Sequence, residues 1–190
     1  MGKLDIIIGP MFAGKSTYLV KSINETIEAI GENSVLVIKH KSDNRYEEDN
    51  TKSNIITHDK TSYPCLSVNN LSEIIKLYDE KLNTTIEKIF IDEAQFFDDL
   101  YDIVIYLVEY KKIDVLIVGL DGDFERRTFG KGDILKLIPF ADSVQKLNSR
   151  CYICNKPAPF TKRIVKSQEQ VIVGGADIYQ PACRIHFSKE

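Results

Sequence analysis

The residues most able to do chemistry begin with a glycine-rich segment near the N-terminus. Gly9 to Ser16 reads Gly-Pro-Met-Phe-Ala-Gly-Lys-Ser, which matches the phosphate-loop pattern G-x-x-x-x-G-K-S/T without a mismatch. Its glycines let backbone N–H groups curl around phosphate oxygens, and a following helix adds a favourable partial positive charge. The pattern predicts that Lys15 reaches the β- and γ-phosphates of a nucleotide and that the Ser16 hydroxyl binds Mg²⁺. A tight glycine-rich turn without a ligand is the alternative.

Two neighbouring carboxylates follow an apolar segment further along the chain. The run from Ile89 to Ile91 continues into Asp92 and Glu93. Because the carboxyl ends of parallel strands line the ligand crevice, Asp92 fits the role of holding Mg²⁺, directly or through water. Glu93 stands where it could accept a proton from an attacking hydroxyl or water, which makes it the candidate general base. A solvated loop acid is the alternative for Glu93.

Three of the four cysteines and one histidine form two half-sites late in the chain. Cys151 and Cys154 are three positions apart, as are Cys183 and His186, and two such knuckles can complete a tetrahedral Zn²⁺ site. A closed site with four protein ligands is structural, because no position stays open for water. We expect metal binding rather than disulfides, since a reducing compartment disfavours disulfides. His186 could instead be an exposed residue near a frayed C-terminus.

Other residues could contact a flat or charged ligand. Phe124 follows the apolar segment 115–118 and could stack on the ring of a ligand. A position in the hydrophobic core is the alternative for this aromatic residue. Thr161, Tyr179 and the glycine-ended run 170–175 lie within the loop that the metal would close. Glycine allows close backbone approach to a ligand but serves turns equally well. Arg45 could meet phosphates, unless it is a solvated loop residue.

The hydrophobic pattern predicts the scaffold that positions these residues. Apolar strands are predicted at 4–8, 34–38, 88–91 and 115–118, and helices at 15–30, 71–77 and 100–108. Strands that are apolar throughout and alternate with helices indicate an α/β fold, a P-loop-type parallel sheet flanked by helices.

Two stretches depart from this alternation. Residues 40–62 are polar and poorly periodic, which predicts a long loop or mobile arm. After about Asn148 the helix periodicity fades and cysteines, prolines and a glycine pair take over. We therefore predict a P-loop ATP-binding domain over 1–147 and a small zinc-binding domain over 148–190.

Composition narrows the class of protein. The chain has 190 residues, 43% of them hydrophobic and 28% charged, which suits one ordinary domain or a domain with a small appendage. Its net charge of -3 argues against a nucleic-acid partner. No apolar run approaches the roughly 20 residues that cross a bilayer. The N-terminus lacks the pattern of a signal peptide, so we expect a cytoplasmic protein with no membrane partner.

Two classes of protein, an ATPase and a nucleic-acid-binding module, remain open as interpretations of these motifs. A P-loop ATPase that drives a switch would use the same phosphate loop and Asp92, with Glu93 activating water. A zinc-ribbon module for nucleic acid would use the cysteine and histidine half-sites, although no Lys/Arg cluster surrounds them. Phosphorylation of an added nucleoside would indicate transfer to a hydroxyl group rather than ATP hydrolysis alone. Salt-dependent DNA binding would indicate the zinc-ribbon module.

Taken together, these motifs resemble the type II thymidine kinase family over nearly the whole chain. The segments that carry the resemblance are 9–17, 43–46, 57–59, 92–96, 120–124 with 129–130, 161–163 and 174–179. Their order and spacing are more specific than any one of them. The resemblance implies transfer of the γ-phosphoryl group of ATP to the 5′-hydroxyl of thymidine or deoxyuridine, with Glu93 as the general base.

The resemblance also implies two sets of binding residues. Those of the ATP site are Gly9, Pro10, Met11, Phe12, Ala13, Gly14, Lys15, Ser16, Thr17, Asp43, Asn44, Arg45, Asp92 and Gln95. Those of the nucleoside site are Phe124, Thr161, Gln170, Val171, Ile172, Val173, Gly174 and Tyr179. Phe124 would stack on the pyrimidine, and Tyr179 would bind near the sugar. A homotetramer, feedback inhibition by thymidine triphosphate and a lasso loop over the nucleoside are implied as well.

The chain departs from the family pattern at two places. His186 replaces a cysteine found in many members, but it still supplies a zinc donor. Two extra residues stand near Lys131 and Gly132, in the connection after Phe129. The role of Phe129 therefore transfers less directly than that of Phe124.

Overall fold

The computed structural model describes residues 1–42, 54–56, 62–130, 133–167 and 169–188. The first elements along the chain are β1 (Leu4–Ile8), α1 (Lys15–Ile30), β2 (Val35–His40), β3 (Asn54–Ile56), β4 (Ser62–Pro64), β5 (Leu66–Val68), α2 (Ser72–Thr84) and β6 (Lys88–Asp92). They are followed by α3 (Leu100–Ile105), which continues as a π-helical turn, β7 (Asp114–Gly119), α4 (Asp133–Lys136), β8 (Ser143–Lys146), β9 (Ser149–Arg150), β10 (Pro157–Ala158), β11 (Phe160–Arg163), β12 (Tyr179–Ala182) and α5 (Arg184–Phe187).

The central sheet has six strands in the order β5-β2-β6-β7-β1-β8, and every pairing in it is parallel. Side chains alternate between its two faces, as strand geometry requires. One face buries Ile7 and Phe90 in a cluster with α1, and the other buries Ile6 and Ile117 in a cluster with α2 and α3. The predicted parallel sheet flanked by helices is confirmed, and it brings the carboxyl ends of β1, β6 and β7 to one edge.

Short or polar strands are where the sequence prediction is incomplete. The expectation of a loop throughout 40–62 is wrong at Asn54–Ile56, because β3 pairs antiparallel with β4 and buries Ile55 against α1. The edge strand β8 is absent from the prediction, since all four of its residues are exposed and only Val144 is apolar. The predicted contacts at 43–45, the motif at 57–59 and the extra pair Lys131 and Gly132 lie outside the described residues.

The C-terminal part of the chain consists of two small antiparallel pairs, β9 with β10 and β11 with β12, followed by α5. Its core is a separate small cluster of Cys151, Ala158 and Cys183. A domain boundary near residue 148 remains a prediction. Across the described residues, no helix has both the length and the apolar content that a membrane crossing needs.

Candidate active site

The phosphate loop joins the end of β1 to the start of α1. A Cβ on Gly9 would lie 2.5 Å from the carbonyl oxygen of Leu147, so this close approach requires glycine. Gly14 has a φ of 79° and directly precedes the first helical residue. Left-handed backbone is accessible to glycine, which lets the loop turn into the helix. Residues 11–17 then line one wall of a cavity of about 290 Å³.

The start of α1 offers donors to an anion. The first helical bond runs from the Tyr18 N–H to the Gly14 carbonyl at 2.9 Å, so the N–H groups before Tyr18 have no carbonyl partner within the helix. The helix dipole adds partial positive charge at the same point. Lys15 Nζ donates to the carbonyl of Pro10 at 2.7 Å, which places the ammonium group over the loop. This arrangement suits the phosphate tail of a nucleotide.

Strand β6 brings two carboxylates to the same cavity. Asp92 is only 5% exposed, and its Oδ1 accepts a hydrogen bond from the Glu93 N–H at 2.9 Å. Glu93 has a φ of 50°, which is uncommon for a residue with a Cβ and turns the chain off the sheet. Both residues line the cavity together with Lys15. The phosphate loop and the acidic strand end therefore open onto one cleft.

Gln95 connects the Glu93 carboxylate to the neighbouring strand. Its Nε2 donates to Glu93 Oε2 at 2.6 Å, and its Oε1 accepts the N–H of Leu120, just past β7, at 2.9 Å. A Cβ on Gly119 would lie 2.6 Å from Gln95 Oε1, so the glycine leaves room for this side chain. Gln95 is 7% exposed and is not among the described residues that line the cavity. Its contact in this structure is with the candidate base, and its contact with ATP stays a prediction.

Asp123 organises the loop that follows β7. Its carboxylate accepts the backbone N–H groups of Glu125 and Arg127, both at 2.8 Å, and the side-chain amide of Gln170 at 2.9 Å. Burial alone would raise its pKa, but the bonds from Gln170 and the two N–H groups outweigh burial and hold the pKa of Asp123 below its usual value. The loop between β11 and β12 is thus tied to the sheet through a charged acceptor.

Arg163, at the end of β11, holds that loop from the other side. Its guanidinium donates to the carbonyl of Gln170 at 3.0 Å and to the hydroxyl of Tyr179 at 2.9 Å. The Tyr179 hydroxyl in turn donates to the carbonyl of Ile172 at 3.0 Å and accepts its N–H at 3.2 Å. Arg163 and Tyr179 are both buried. The backbone of 170–175 is therefore held in place where it lines the cavity.

Two aromatic residues outside the predicted binding sets line the cavity. Phe96 and Phe129 line the cavity, with their ring centres 5.7 Å apart and their planes at 79°. Phe124 is not among the described lining residues, and the guanidinium of Arg163 lies 3.7 Å from the centre of its ring. One face of Phe124 is therefore occupied by a cation–π contact. Stacking of Phe124 on a pyrimidine stays a prediction, and Phe96 and Phe129 are further aromatic surfaces at the site.

The cysteine and histidine half-sites come together as one cluster. One donor atom from each of Cys151, Cys154, Cys183 and His186 lies within 4.8 Å of the others. The Cys154 and Cys183 sulfurs are 3.8 Å apart, and His186 Nδ1 is 3.4 Å from the sulfurs of Cys151 and Cys183. Tetrahedral Zn²⁺ with Zn–S bonds of about 2.3 Å needs sulfur separations of about 3.8 Å. The donor set and its spacing therefore fit Zn²⁺ closely.

The thiols of this cluster also have the electrostatics of a metal site. Burial would raise the pKa of Cys151, but hydrogen bonds from the backbone of Cys183, Cys154 and Ile153 and from His186 lower it to about 5. The backbone of Lys156 favours the Cys154 thiolate, but burial and the neighbouring Cys151 and Cys183 raise the pKa of Cys154. The Cys151 thiolate forms readily, whereas ionisation of Cys154 is opposed. A bound divalent cation would favour the thiolate form of both.

Most of the predicted residues meet at the cavity. Those that line it are Met11, Phe12, Ala13, Gly14, Lys15, Ser16, Thr17, Asp92, Glu93, Thr161, Gln170, Val171, Ile172, Val173, Gly174 and Tyr179. Lining residues that the predicted binding sets omitted are Ser42, Phe96, Leu120, Gly122, Asp123, Phe129 and Gly175. All of these except Ser42 stand inside motifs already recognised in the sequence, so the motifs could have pointed to them. Asp43, Asn44 and Arg45 lie outside the described residues.

The fold and the cavity define a P-loop α/β protein with an acidic strand end that shares the cavity with its phosphate loop and with a Cys3His cluster that could hold a metal ion. The family model described as thymidine kinase matches residues 2–187. A thymidine kinase of Oryza sativa subsp. japonica is 41% identical over 191 residues, covering 98% of this chain and 66% of the relative. The thymidine kinase of Yaba monkey tumor virus is 40% identical and covers 99% and 96%. A cytosolic thymidine kinase of Cricetulus griseus is 36% identical and covers 100% and 74%.

The chain therefore belongs to the thymidine kinase family of enzymes. It spans about two thirds of the length of the rice relative and nearly the full length of the viral one.

Proposed function

We propose that this enzyme transfers the γ-phosphoryl group of ATP to the 5′-hydroxyl of thymidine or deoxyuridine, which gives the deoxynucleoside monophosphate for nucleotide salvage. The observation that carries the proposal is the shared cavity, in which Lys15 of the phosphate loop and Glu93 of the acidic strand end face the same space. Phosphoryl transfer asks the protein mainly for positioning and charge stabilisation, and this cavity supplies groups for both.

The triphosphate of ATP would lie along residues 9–17. The loop N–H groups and Lys15 would bind its oxygens and stabilise the charge that develops during transfer. The Ser16 hydroxyl and the Asp92 carboxylate are oxygen donors at the same cavity wall, which are ligands that Mg²⁺ prefers. Mg²⁺ bound there would neutralise charge on the phosphate oxygens. Asp43, Asn44 and Arg45 are proposed as further ATP-site residues on the family resemblance, whereas Gln95 is proposed to act through its hydrogen bond to Glu93.

Glu93 is proposed as the general base. It would orient the 5′-hydroxyl and accept its proton late in the transfer, since the hydroxyl becomes acidic only as its oxygen bonds to phosphorus. The Gln95 amide donates to one of its carboxylate oxygens at 2.6 Å and so restrains the orientation of the carboxylate. A carboxylate kept in one rotamer does not have to be ordered again in each reaction cycle.

The loop between β11 and β12 is proposed as the nucleoside lid. Backbone N–H and C=O groups of 170–174 can match the O2, N3–H and O4 groups of a pyrimidine. A purine or cytosine would leave some of these buried groups unpaired, which costs affinity. Thr161, Phe124 and Tyr179 complete the proposed nucleoside site, with Phe96 and Phe129 as aromatic neighbours of the base. Closing the loop would also exclude water, the rival acceptor of the phosphoryl group.

Zn²⁺ is proposed as a structural ion of the Cys151, Cys154, Cys183 and His186 cluster. Its two knuckles flank the lid, and with four protein ligands no position is left for substrate. Kinship further supports three proposals: a homotetramer, inhibition by thymidine triphosphate, and a cytoplasmic location like that named for the hamster relative.

One assay tests the function. The protein is incubated with ATP and Mg²⁺, each deoxynucleoside is offered in turn, and the monophosphate is measured. We expect thymidine and deoxyuridine to be phosphorylated, and deoxycytidine and the purine deoxynucleosides to be poor acceptors. ATP hydrolysis that is unaffected by any nucleoside would indicate an ATPase instead, and a Glu93→Gln protein serves as the control for contaminating kinases.

A further inference from the structure

Two hydroxyl groups from the C-terminal part of the chain bind the phosphate loop at adjacent residues, Met11 and Phe12. Thr161 Oγ1 accepts the Met11 N–H at 2.9 Å, and Ser149 Oγ donates to the carbonyl of Phe12 at 2.9 Å. Both side chains are buried, at 5% and 8% exposure. The loop is thus held by groups about 140 to 150 positions away in sequence, as well as by its own turns.

The hydrogen bond from Ser149 reaches the residue of the loop whose backbone conformation is least favourable. Phe12 has a φ of 63°, a left-handed conformation that clashes with a Cβ, whereas glycine occupies the sharp turns at Gly9 and Gly14. Such a conformation is costly for a residue with a Cβ and persists only where its surroundings hold it. A specific hydrogen bond to its carbonyl is a physical reason for the loop to keep it.

The orientation of this one carbonyl decides what the loop presents to a phosphate. A peptide group is planar, and no cis bond occurs among the described residues, so the Ala13 N–H points away from the Phe12 carbonyl oxygen. Ala13 lines the cavity. If the peptide between Phe12 and Ala13 flipped, a carbonyl oxygen would replace an N–H donor at this wall and would repel the phosphate oxygens.

We infer that Ser149 is a positioning residue for nucleotide binding, because its hydroxyl holds the Phe12–Ala13 peptide in the orientation that offers an N–H to the triphosphate of ATP. This inference rests on the proposed function only in taking ATP as the ligand of the loop. Ser149 is not among the described residues that line the cavity, so it acts on the loop without touching substrate. Thr161 lines the cavity, so a substitution there would alter the phosphate loop and the contacts with substrate at the same time.

The test is ATP binding by Ser149→Ala, measured by titration calorimetry without nucleoside. We expect affinity for ATP to fall about five- to tenfold, the loss of one buried hydrogen bond. In turnover assays the KM for ATP should rise by the same factor, while the KM for thymidine stays within about twofold. Ser188→Ala is the matched control, because Ser188 Oγ makes the same kind of bond, to the Arg184 carbonyl, at an exposed position.

A second comparison keeps the inference testable if Ser149→Ala does not fold. Ser149→Thr and Ser149→Val have the same shape and differ only in the hydroxyl, so any cost of the added methyl is shared. We expect the threonine variant to bind ATP more tightly than the valine variant by the same five- to tenfold or so. Equal affinities in this pair, or an unchanged affinity in Ser149→Ala, would overturn the inference while leaving the kinase function standing. Equal losses of affinity for ATP and for thymidine would overturn it as well, because they would indicate damage to the whole site. A wild-type protein that binds no ATP would overturn both.

Discussion

The contact between Gln95 and Glu93 can be tested by replacing Gln95 with leucine, which keeps the volume and removes the amide. In the structure that amide donates to Glu93 at 2.6 Å, and its oxygen accepts the Leu120 N–H at 2.9 Å. A hydrogen bond to a charged group contributes about 1.5–3 kcal/mol. If this bond orients the base during transfer, its loss should lower kcat by roughly 10- to 100-fold, since each 1.4 kcal/mol or so is a factor of ten.

The same substitution should also destabilise the fold. The Leu120 N–H would lose its acceptor in a buried region, which costs about 1–3 kcal/mol in the free energy of unfolding. Gln145→Leu makes the same chemical change on the exposed strand β8 and serves as the control. Because Gln95 is not among the described residues that line the cavity, the KM for ATP and the KM for thymidine should stay near the wild-type values.

The assay is steady-state kinetics with each substrate varied in turn, together with denaturant unfolding. A fall in kcat with little change in either KM supports a positioning role for Gln95. The opposite split, in which kcat is unchanged and the KM for ATP rises about tenfold, would refute the reasoning, because it would mean that Gln95 binds ATP directly.

Three further predictions concern the base, the metal cluster and the Asp123 carboxylate that binds Gln170 of the nucleoside lid. Glu93→Gln should lower kcat by about 10²- to 10⁴-fold while ATP still binds by calorimetry, and near-normal turnover would remove Glu93 as the base. Cys154→Ser should lose zinc, measured by elemental analysis, and should make the chain between the two knuckles more sensitive to protease; full zinc content would contradict the four-ligand site. Asp123→Asn should reduce the free energy of unfolding at pH 7 by about 1–3 kcal/mol. Because the pKa of Asp123 is lowered in the folded state, its contribution is present above the ordinary value of 3.8 and is lost as the pH falls below it. The difference between wild type and Asp123→Asn should therefore shrink in acid, and a gap that persists at low pH would count against the tether.

Much of the scaffold is readable from sequence because strongly apolar segments leave few ways to fold. The helix predicted at 15–30 has those bounds in the structure, and the strand predicted at 88–91 extends by one residue to Asp92. Buried strands need continuous apolar runs, and a surface helix needs a three- and four-residue repeat. β8 escapes this logic because its residues are exposed and are held by backbone bonds to β1, which any side chains allow.

The sequence by itself determined which chemical groups this protein carries and roughly where the chain presents them. A phosphate loop must follow a strand, an acidic pair must end one, and each metal half-site must present two ligands three positions apart, because each motif is defined by local spacing and local backbone geometry. What only the tertiary structure decided is which group touches which. That Gln95 binds the Leu120 N–H, that Arg163 covers Phe124, and that Ser149 holds the phosphate loop are contacts between segments that the fold brings together. The pairing of such distant side chains depends on strand order and loop path, and no local pattern encodes either.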